Sequence, residues 1–256
     1  MRRLNEGACV SLKLLRNINV ELGKRSFMPV EKMLQVYQAP YVFFDLDDSL
    51  INKDASSLWI KWRARFDRWA IVEAIQALAS LYRAYKKGTV SHWRLSTYYR
   101  TRTRGMSLAD YQDHIDHFFR ERGHLYIYPQ AASLLFAYRR QGSKLVLITG
   151  QDEVMAKAYA DALGLDFVIG NRFELSGDKI KGLTKPLCYG EGKVEMARIF
   201  AKEQGFDLSE AVFYSDSHAD LPLLEAVRQP VVLNPNQQLA ELAKQRGWPR
   251  VDWRKN

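Results

Sequence analysis

The stretch Tyr41-Val42-Phe43-Phe44-Asp45-Leu46-Asp47-Asp48-Ser49-Leu50 restricts the possible folds more than any other. Residues 41–44 are apolar without alternation and rich in aromatic and β-branched types, which predicts a strand buried on both faces. Asp45, Asp47 and Asp48 follow at once, with no basic residue among them. Carboxylates this close repel by roughly 1 kcal/mol per pair in water and by several times more in a shielded site. Two readings account for them. Either a hard divalent cation neutralises them, since such ions prefer carboxylate and carbonyl oxygens, or the strand ends in an acidic turn with Asp48-Ser49 as turn residues.

The segment after this strand reads as helical. Residues 55–87 contain almost no helix breaker, and Lys87-Gly88 ends them with a basic last turn and a glycine. Ser91 is placed to cap a second helix, and Ser107 with Asp110 forms the S-x-x-D opening of a third. From Pro129 the pattern becomes alternating helix and strand. Strands are expected over 144–148, 167–169, 211–214 and 231–233, and a hairpin over 173–180. Helices are expected over 130–141, 153–163, 194–204, 221–227 and 237–246. Repeated strand–helix units predict an α/β fold, a Rossmann-like doubly wound parallel sheet, with an inserted all-helical cap. The expected division is a loosely attached extension over 1–27, a core formed by 28–52 and 128–256, and a cap over 53–127.

The net charge of +9 is unevenly spread: residues 51–137 carry +7 and residues 1–40 carry +4, residues 41–50 carry −3, and residues 138–256 carry +1. A basic surface suits nucleic acid, a membrane face or small anionic substrates. No zinc-finger spacing, RNP-like aromatic motif or GxxG clamp is present, so nucleic acid is not an expected partner. Cys9 and Cys188 lack metal-ligand spacing, and so small a cysteine content fits a reducing cytoplasm. No apolar run approaches the ~20 residues of a membrane-spanning helix. Lys13 and Arg16 break the N-terminal apolar patch, which argues against a signal peptide.

In a parallel sheet, ligands bind at the carboxyl ends of the strands. The strand ending at Ile148 is followed by Thr149-Gly150, and that ending at Tyr214 by Ser215-Asp216-Ser217-His218-Ala219-Asp220. Lys193 lies at a helix start opened by Gly190-Glu191-Gly192. Each piece has a plain structural reading as a turn or a helix start. Together and in this order, with Phe44-Asp45-Leu46-Asp47-Asp48-Ser49-Leu50, they resemble the haloacid dehalogenase superfamily, in its phosphoserine-phosphatase-like branch (subfamily IB).

The resemblance implies a Mg²⁺-dependent phosphomonoesterase acting on a small phosphorylated metabolite. It implies Asp45 as the nucleophile that becomes an aspartyl-phosphate and Asp47 as general acid and base. Thr149, Gly150 and Lys193 would hold the phosphoryl group. Asp45, Asp216 and the Asp47 carbonyl would hold the metal, with Asp220 supporting the metal shell or Lys193. Two departures stand out. Ala219 replaces the branch's usual asparagine, and Asp48-Ser49 replaces its commoner glycine or asparagine followed by threonine. Alternatives within the resemblance are a phosphotransferase, a lipid-phosphate phosphatase, or a weakened protein that only binds phosphate.

The cap would choose the substrate. Asp54 stands where phosphoserine phosphatases carry a glutamate that reads the substrate amine, and its plain reading is a helix N-terminal acid. Arg100, with Arg102 and Arg104, is placed to meet an anionic leaving group, or else forms a solvated face. Lys61-Trp62-Arg63-Ala64-Arg65-Phe66 interleaves bases with aromatics. It reads as a packed cap helix with exposed arginines in preference to a membrane-facing one. His92, His114, His117 and His124 form no metal motif, and nothing in the sequence sets the oligomeric state.

Overall fold

The computed structural model describes residues 36–66, 68–86 and 89–255. The first strand, β1 (Tyr41–Phe44), leads into a single wide turn over Leu46–Leu50, closed by the Ile51 N–H on the Leu46 carbonyl. Four helices follow: α1 (Ala55–Arg63), α2 (Arg68–Lys86), α3 (His92–Arg102) and α4 (Leu108–Glu121). The chain then alternates through α5 (Pro129–Arg140), β2 (Lys144–Asp152), α6 (Glu153–Leu163) and β3 (Phe167–Asn171). A hairpin of β4 (Phe173–Ser176) and β5 (Lys179–Leu183) precedes α7 (Glu191–Gln204). The remaining elements are β6 (Val212–Ser215), α8 (Leu221–Ala226), β7 (Gln229–Leu233), α9 (Gln237–Arg246) and β8 (Arg250–Val251).

Six strands pair in parallel in the order β3-β2-β1-β6-β7-β8. Side chains alternate across a strand, so each strand feeds two cores. Val42, Phe44, Leu147, Tyr214 and Leu233 pack on one face with α5, α6 and the helices that follow β1. Phe43, Val146, Ile148, Phe213 and Val232 pack on the other with α7, α8 and α9. This two-sided burial explains why β1 shows no alternation in sequence. On the first face the Tyr138 and Tyr214 hydroxyls bond each other at 2.7 Å, which satisfies two buried polar groups.

The helices α1–α4 enter and leave the sheet at one point. Ile51 bridges Ile127, the Asn52 N–H donates to the Tyr126 carbonyl, and the Tyr128 N–H donates to the Leu50 carbonyl. Paired entry and exit segments of this kind support the cap that we propose for residues 53–127. The β4–β5 hairpin leaves the main sheet and docks on the helices that follow β1, with Ser107 bridging Lys179 and His92 Nε2 lying 2.7 Å from the Leu183 carbonyl. The expected extension over 1–27, and a core start near Met28, lie outside the described residues.

Three details differ from the sequence reading. The helix expected over 55–87 is two, α1 ending at Arg63 and α2 running from Arg68 to Lys86, with the Ala64 N–H closing the first on the Ile60 carbonyl. The strand expected to end at Ile148 continues to Asp152, with a register shift against β3 between Ile148 and Asp152. The two-residue edge strand β8 has too little pattern to be read from sequence.

Gly192 is fixed by a close approach. A Cβ there would lie 2.1 Å from the Leu187 carbonyl oxygen, a backbone atom that cannot swing aside. Gly192→Ala therefore forces the loop before α7 to move. The expected cost is about 1–3 kcal/mol of stability in urea unfolding, as for other overpacked sites; an unchanged midpoint would show that the approach is relaxed in solution.

Candidate active site

The tips of β1 and β6, neighbours in the sheet, bring the acids together. Asp45 leaves β1 with its N–H on the Tyr214 carbonyl at 2.9 Å. Lys193, in the first turn of α7, reaches between the two tips. Its Nζ donates to Asp45 Oδ1 at 2.8 Å and to Asp220 Oδ2 at 2.7 Å, with all three side chains almost wholly buried. The Ser215 hydroxyl donates to the same Asp220 oxygen at 2.7 Å. Lys193 is thus held on both sides by carboxylates although Ala219 has no polar side chain to offer.

Asp216 joins this group through Ser49. Its N–H donates to Ser49 Oγ at 3.1 Å, and the Ser49 hydroxyl donates back to Asp216 Oδ1 at 3.4 Å. The turn that carries Ser49 needs Asp48 at a positive φ of 52°, a conformation that aspartate tolerates better than most residues. Asn234 Nδ2 holds that turn by donating to the Asp48 carbonyl at 2.9 Å.

The electrostatics follow from burial and like charge. Burial pushes Asp45 up to about 6; Lys193 opposes that push and Asp220 adds to it. Burial, then Asp45, Asp220, Asp48 and Asp47, hold Asp216 well above the ordinary carboxylate range. For Lys193 burial alone favours the neutral amine, but Asp220 and Asp45 outweigh it and keep the ammonium charged. Asp45, Asp216 and Asp220 thus gather around a single ammonium, an excess of carboxylates that suits a divalent cation. Among the described residues no three Asp, Glu, His or Cys side chains converge as a complete ligand set. A hard cation here would take Asp45, Asp216 and backbone or water oxygen, a donor set typical of Mg²⁺.

Asp47 faces the other way, towards the cap. Its Oδ1 accepts from the Ala55 N–H at 2.8 Å, at the start of α1, and its Oδ2 accepts from Gln151 Nε2 at 2.7 Å. Burial, then Asp54 and Asp45, hold its pKa well above the ordinary range, and the two donors work against that rise. Gln151 also donates to Asp54 Oδ2 at 3.3 Å, while Asp54 Oδ1 caps α1 by accepting from the Ser57 N–H at 2.6 Å. Asp54 thus caps α1 with one oxygen and meets Gln151, the partner of Asp47, with the other.

Thr149 is fully buried on β2, with its Oγ1 accepting from the Gln151 N–H at 3.2 Å. The Gly150 carbonyl accepts from Asn171 Nδ2 at 2.7 Å and from the Tyr99 hydroxyl at 3.5 Å, which orients the strand tip. Arg100 is exposed on α3 and is not brought to the acids. Arg102 is the arginine turned inward. It pairs with Asp152 at 3.2 Å, donates to Ser56 Oγ at 2.6 Å, and lies 4.7 Å from the centre of the Tyr99 ring.

Ser56 in turn donates to Gln151 Oε1 at 2.6 Å, so a chain of buried hydrogen bonds runs from Arg102 through Ser56 and Gln151 to Asp47. Sequence reasoning missed Gln151, Ser56, Asp152 and Asn171. Only Asp152 left a signal, as an aspartate just before a helix, where it accepts from the Met155 N–H.

A family profile described as haloacid dehalogenase-like hydrolase matches residues 42–225. A probable phosphatase of Mycobacterium tuberculosis (strain H37Rv) is 29% identical over 212 residues, covering 81% of this chain and 73% of that protein. A solved protein of unknown function from Bordetella pertussis Tohama I superposes with a TM-score of 0.76 at 25% identity, covering 85% of this chain and 100% of that one. A substrate-bound phosphoserine phosphatase shares the fold with a TM-score of 0.61 at 15% identity, over 86% of this chain and 97% of that one. A profile match of that extent, on a parallel sheet whose acids gather at neighbouring strand tips, places the chain in the haloacid dehalogenase-like hydrolase family.

Proposed function

We propose that the protein is a Mg²⁺-dependent phosphatase that hydrolyses a phosphomonoester through an aspartyl-phosphate on Asp45. The observation that carries this reading is the buried Lys193 ammonium bonded to both Asp45 and Asp220. A carboxylate cannot approach a phosphate dianion unless positive charge lies between them, and Lys193 supplies it at the nucleophile itself. The relative named as a probable phosphatase supports the same reaction class.

The steps follow from the side chains. An Asp45 carboxylate oxygen attacks phosphorus, and the bond from phosphorus to the leaving oxygen breaks. Asp47, whose pKa burial and neighbouring carboxylates hold above the ordinary range, gives a proton to the leaving oxygen. Asp47 then takes a proton from water as the water oxygen attacks the aspartyl-phosphate, which releases inorganic phosphate and restores Asp45. The Thr149 hydroxyl and Gly150 N–H hold the phosphoryl oxygens, and Asn171 keeps that strand tip in place through the Gly150 carbonyl. Asp45 and Asp216, with the Asp47 carbonyl, would hold Mg²⁺, which when bound offsets charge on the phosphoryl oxygens. A loose transition state leaves little for the protein to do beyond such positioning and charge balance.

Three outcomes are expected. Wild-type protein hydrolyses an aryl phosphate, EDTA abolishes the turnover and Mg²⁺ restores it, while Asp45→Asn lowers kcat by about 10³-fold or more. Full activity in Asp45→Asn would remove the proposed nucleophile.

Gln151→Leu takes a donor from Asp47. The expected result is about a tenfold loss in kcat and an alkaline limb of the kcat/KM profile moved to higher pH, since Asp47 then holds its proton more tightly. A profile of unchanged shape would assign Gln151 a packing role only.

In EDTA, stability has a definite sign with pH. Asp45 rises from an ordinary aspartate value to about 6 in the folded chain, and Asp216 also rises, so the folded state binds more protons than the unfolded one. The Tm in EDTA therefore falls as pH rises from about 4 through 6. Mg²⁺ recovers more of the Tm at pH 7 than at pH 5; equal recovery at both would contradict the assigned carboxylates.

A further inference from the structure

Residues 57–104 contain eleven Lys or Arg and two acidic residues, a net charge of +9 that equals the net charge of the whole chain. Most of these basic residues lie on α1, α2 and α3, where Glu73 is the single acid after Asp54 and before Asp110 on a helix. Lys61, Arg65, Arg83, Arg94, Arg100 and Arg104 are exposed there. Arg65 is partnered by Glu121 of α4 at 2.6 Å.

The same helices, and the turn after α1, expose large apolar side chains. Phe66 is 63% exposed, Val72 50%, Ile75 51% and Trp93 69%. On α2 the inner side is Ala77, Leu78, Leu81 and Ala84, which are buried or half-buried. Val72, Ile75 and Ala79 lie on the opposite side, beside Arg83. The helix thus has a second apolar stripe that faces solvent. None of the described helices is long and apolar enough to cross a membrane.

We propose that this outer side of the cap docks on an anionic phospholipid bilayer, the helices lying in the interface. Concentrated positive charge supplies attraction to anionic headgroups, and Val72, Ile75, Phe66 and Trp93 enter the boundary between headgroups and acyl chains. A second copy of the chain is a poor occupant, because two faces of the same strong charge repel. A nucleic acid would satisfy the charge but leaves the aliphatic Val72 and Ile75 facing water.

The test is flotation of the full-length protein with vesicles of phosphatidylcholine alone and of phosphatidylcholine with phosphatidylglycerol. Binding is expected only to the anionic vesicles, with several-fold loss when salt is raised from about 50 to 300 mM. Val72→Glu/Ile75→Glu should weaken binding about tenfold, and Arg83→Glu/Arg94→Glu should do so independently if the first pair misfolds by circular dichroism. The proposal is overturned by absence of binding at low salt or by equal binding to neutral vesicles. It is also overturned if single-stranded DNA binds more tightly than anionic vesicles while folded Val72→Glu/Ile75→Glu binds both like the wild type.

Discussion

One buried ammonium organises the catalytic end of this chain. Asp45 leaves the first strand and Asp220 follows the sixth, and Lys193 lies between them, bonded to both. Removing one partner of such a buried set leaves an uncompensated charge, which typically costs about 3–5 kcal/mol. The contact also joins elements far apart in sequence, because Lys193 comes from α7 and the acids from opposite sides of the long helical insertion. Gly192, packed against the Leu187 carbonyl, sets where α7 starts and therefore where the lysine can reach.

The second theme is how the cap is coupled to the core. Asp47 is bonded to the first turn of α1 on one oxygen and to Gln151 of β2 on the other. Gln151 leads through Ser56 to Arg102, and Arg102 returns to β2 by its pair with Asp152. The result is a closed loop of buried polar contacts between cap and core. A shift of the cap would therefore be felt at Asp47 before it reached Asp45, which makes the proposed acid and base group the point of the site most responsive to cap position.

Much of this was legible in the chain. The unalternating run Tyr41–Phe44 announced a strand buried on both faces, because both faces of the sheet are covered. Ser107 and Asp110 signalled the start of α4, and they form the reciprocal capping pair there. Asp45, Asp216, Asp220 and Lys193 could be found because carboxylates and a lysine at strand tips and a helix start have few structural uses together. Gln151, Ser56 and Asn171 could not, since a neutral polar residue acquires its meaning only from partners far along the chain. Arg102 was visible only as one of three arginines. Which of Arg100, Arg102 and Arg104 turns inward depends on how α3 is rotated against α1 and β2, and a run of alternating arginines does not specify that.

The proposed chemistry rests on Asp45 carrying the phosphoryl group covalently. Acid quenching of the full-length protein during turnover of a phosphorylated substrate, followed by mass spectrometry of its peptides, measures this directly. A phosphate adduct on Asp45, absent from Asp45→Asn and lost on neutral hydrolysis, is the result the account predicts. Sustained turnover with no adduct, or an adduct on a different residue, would contradict it.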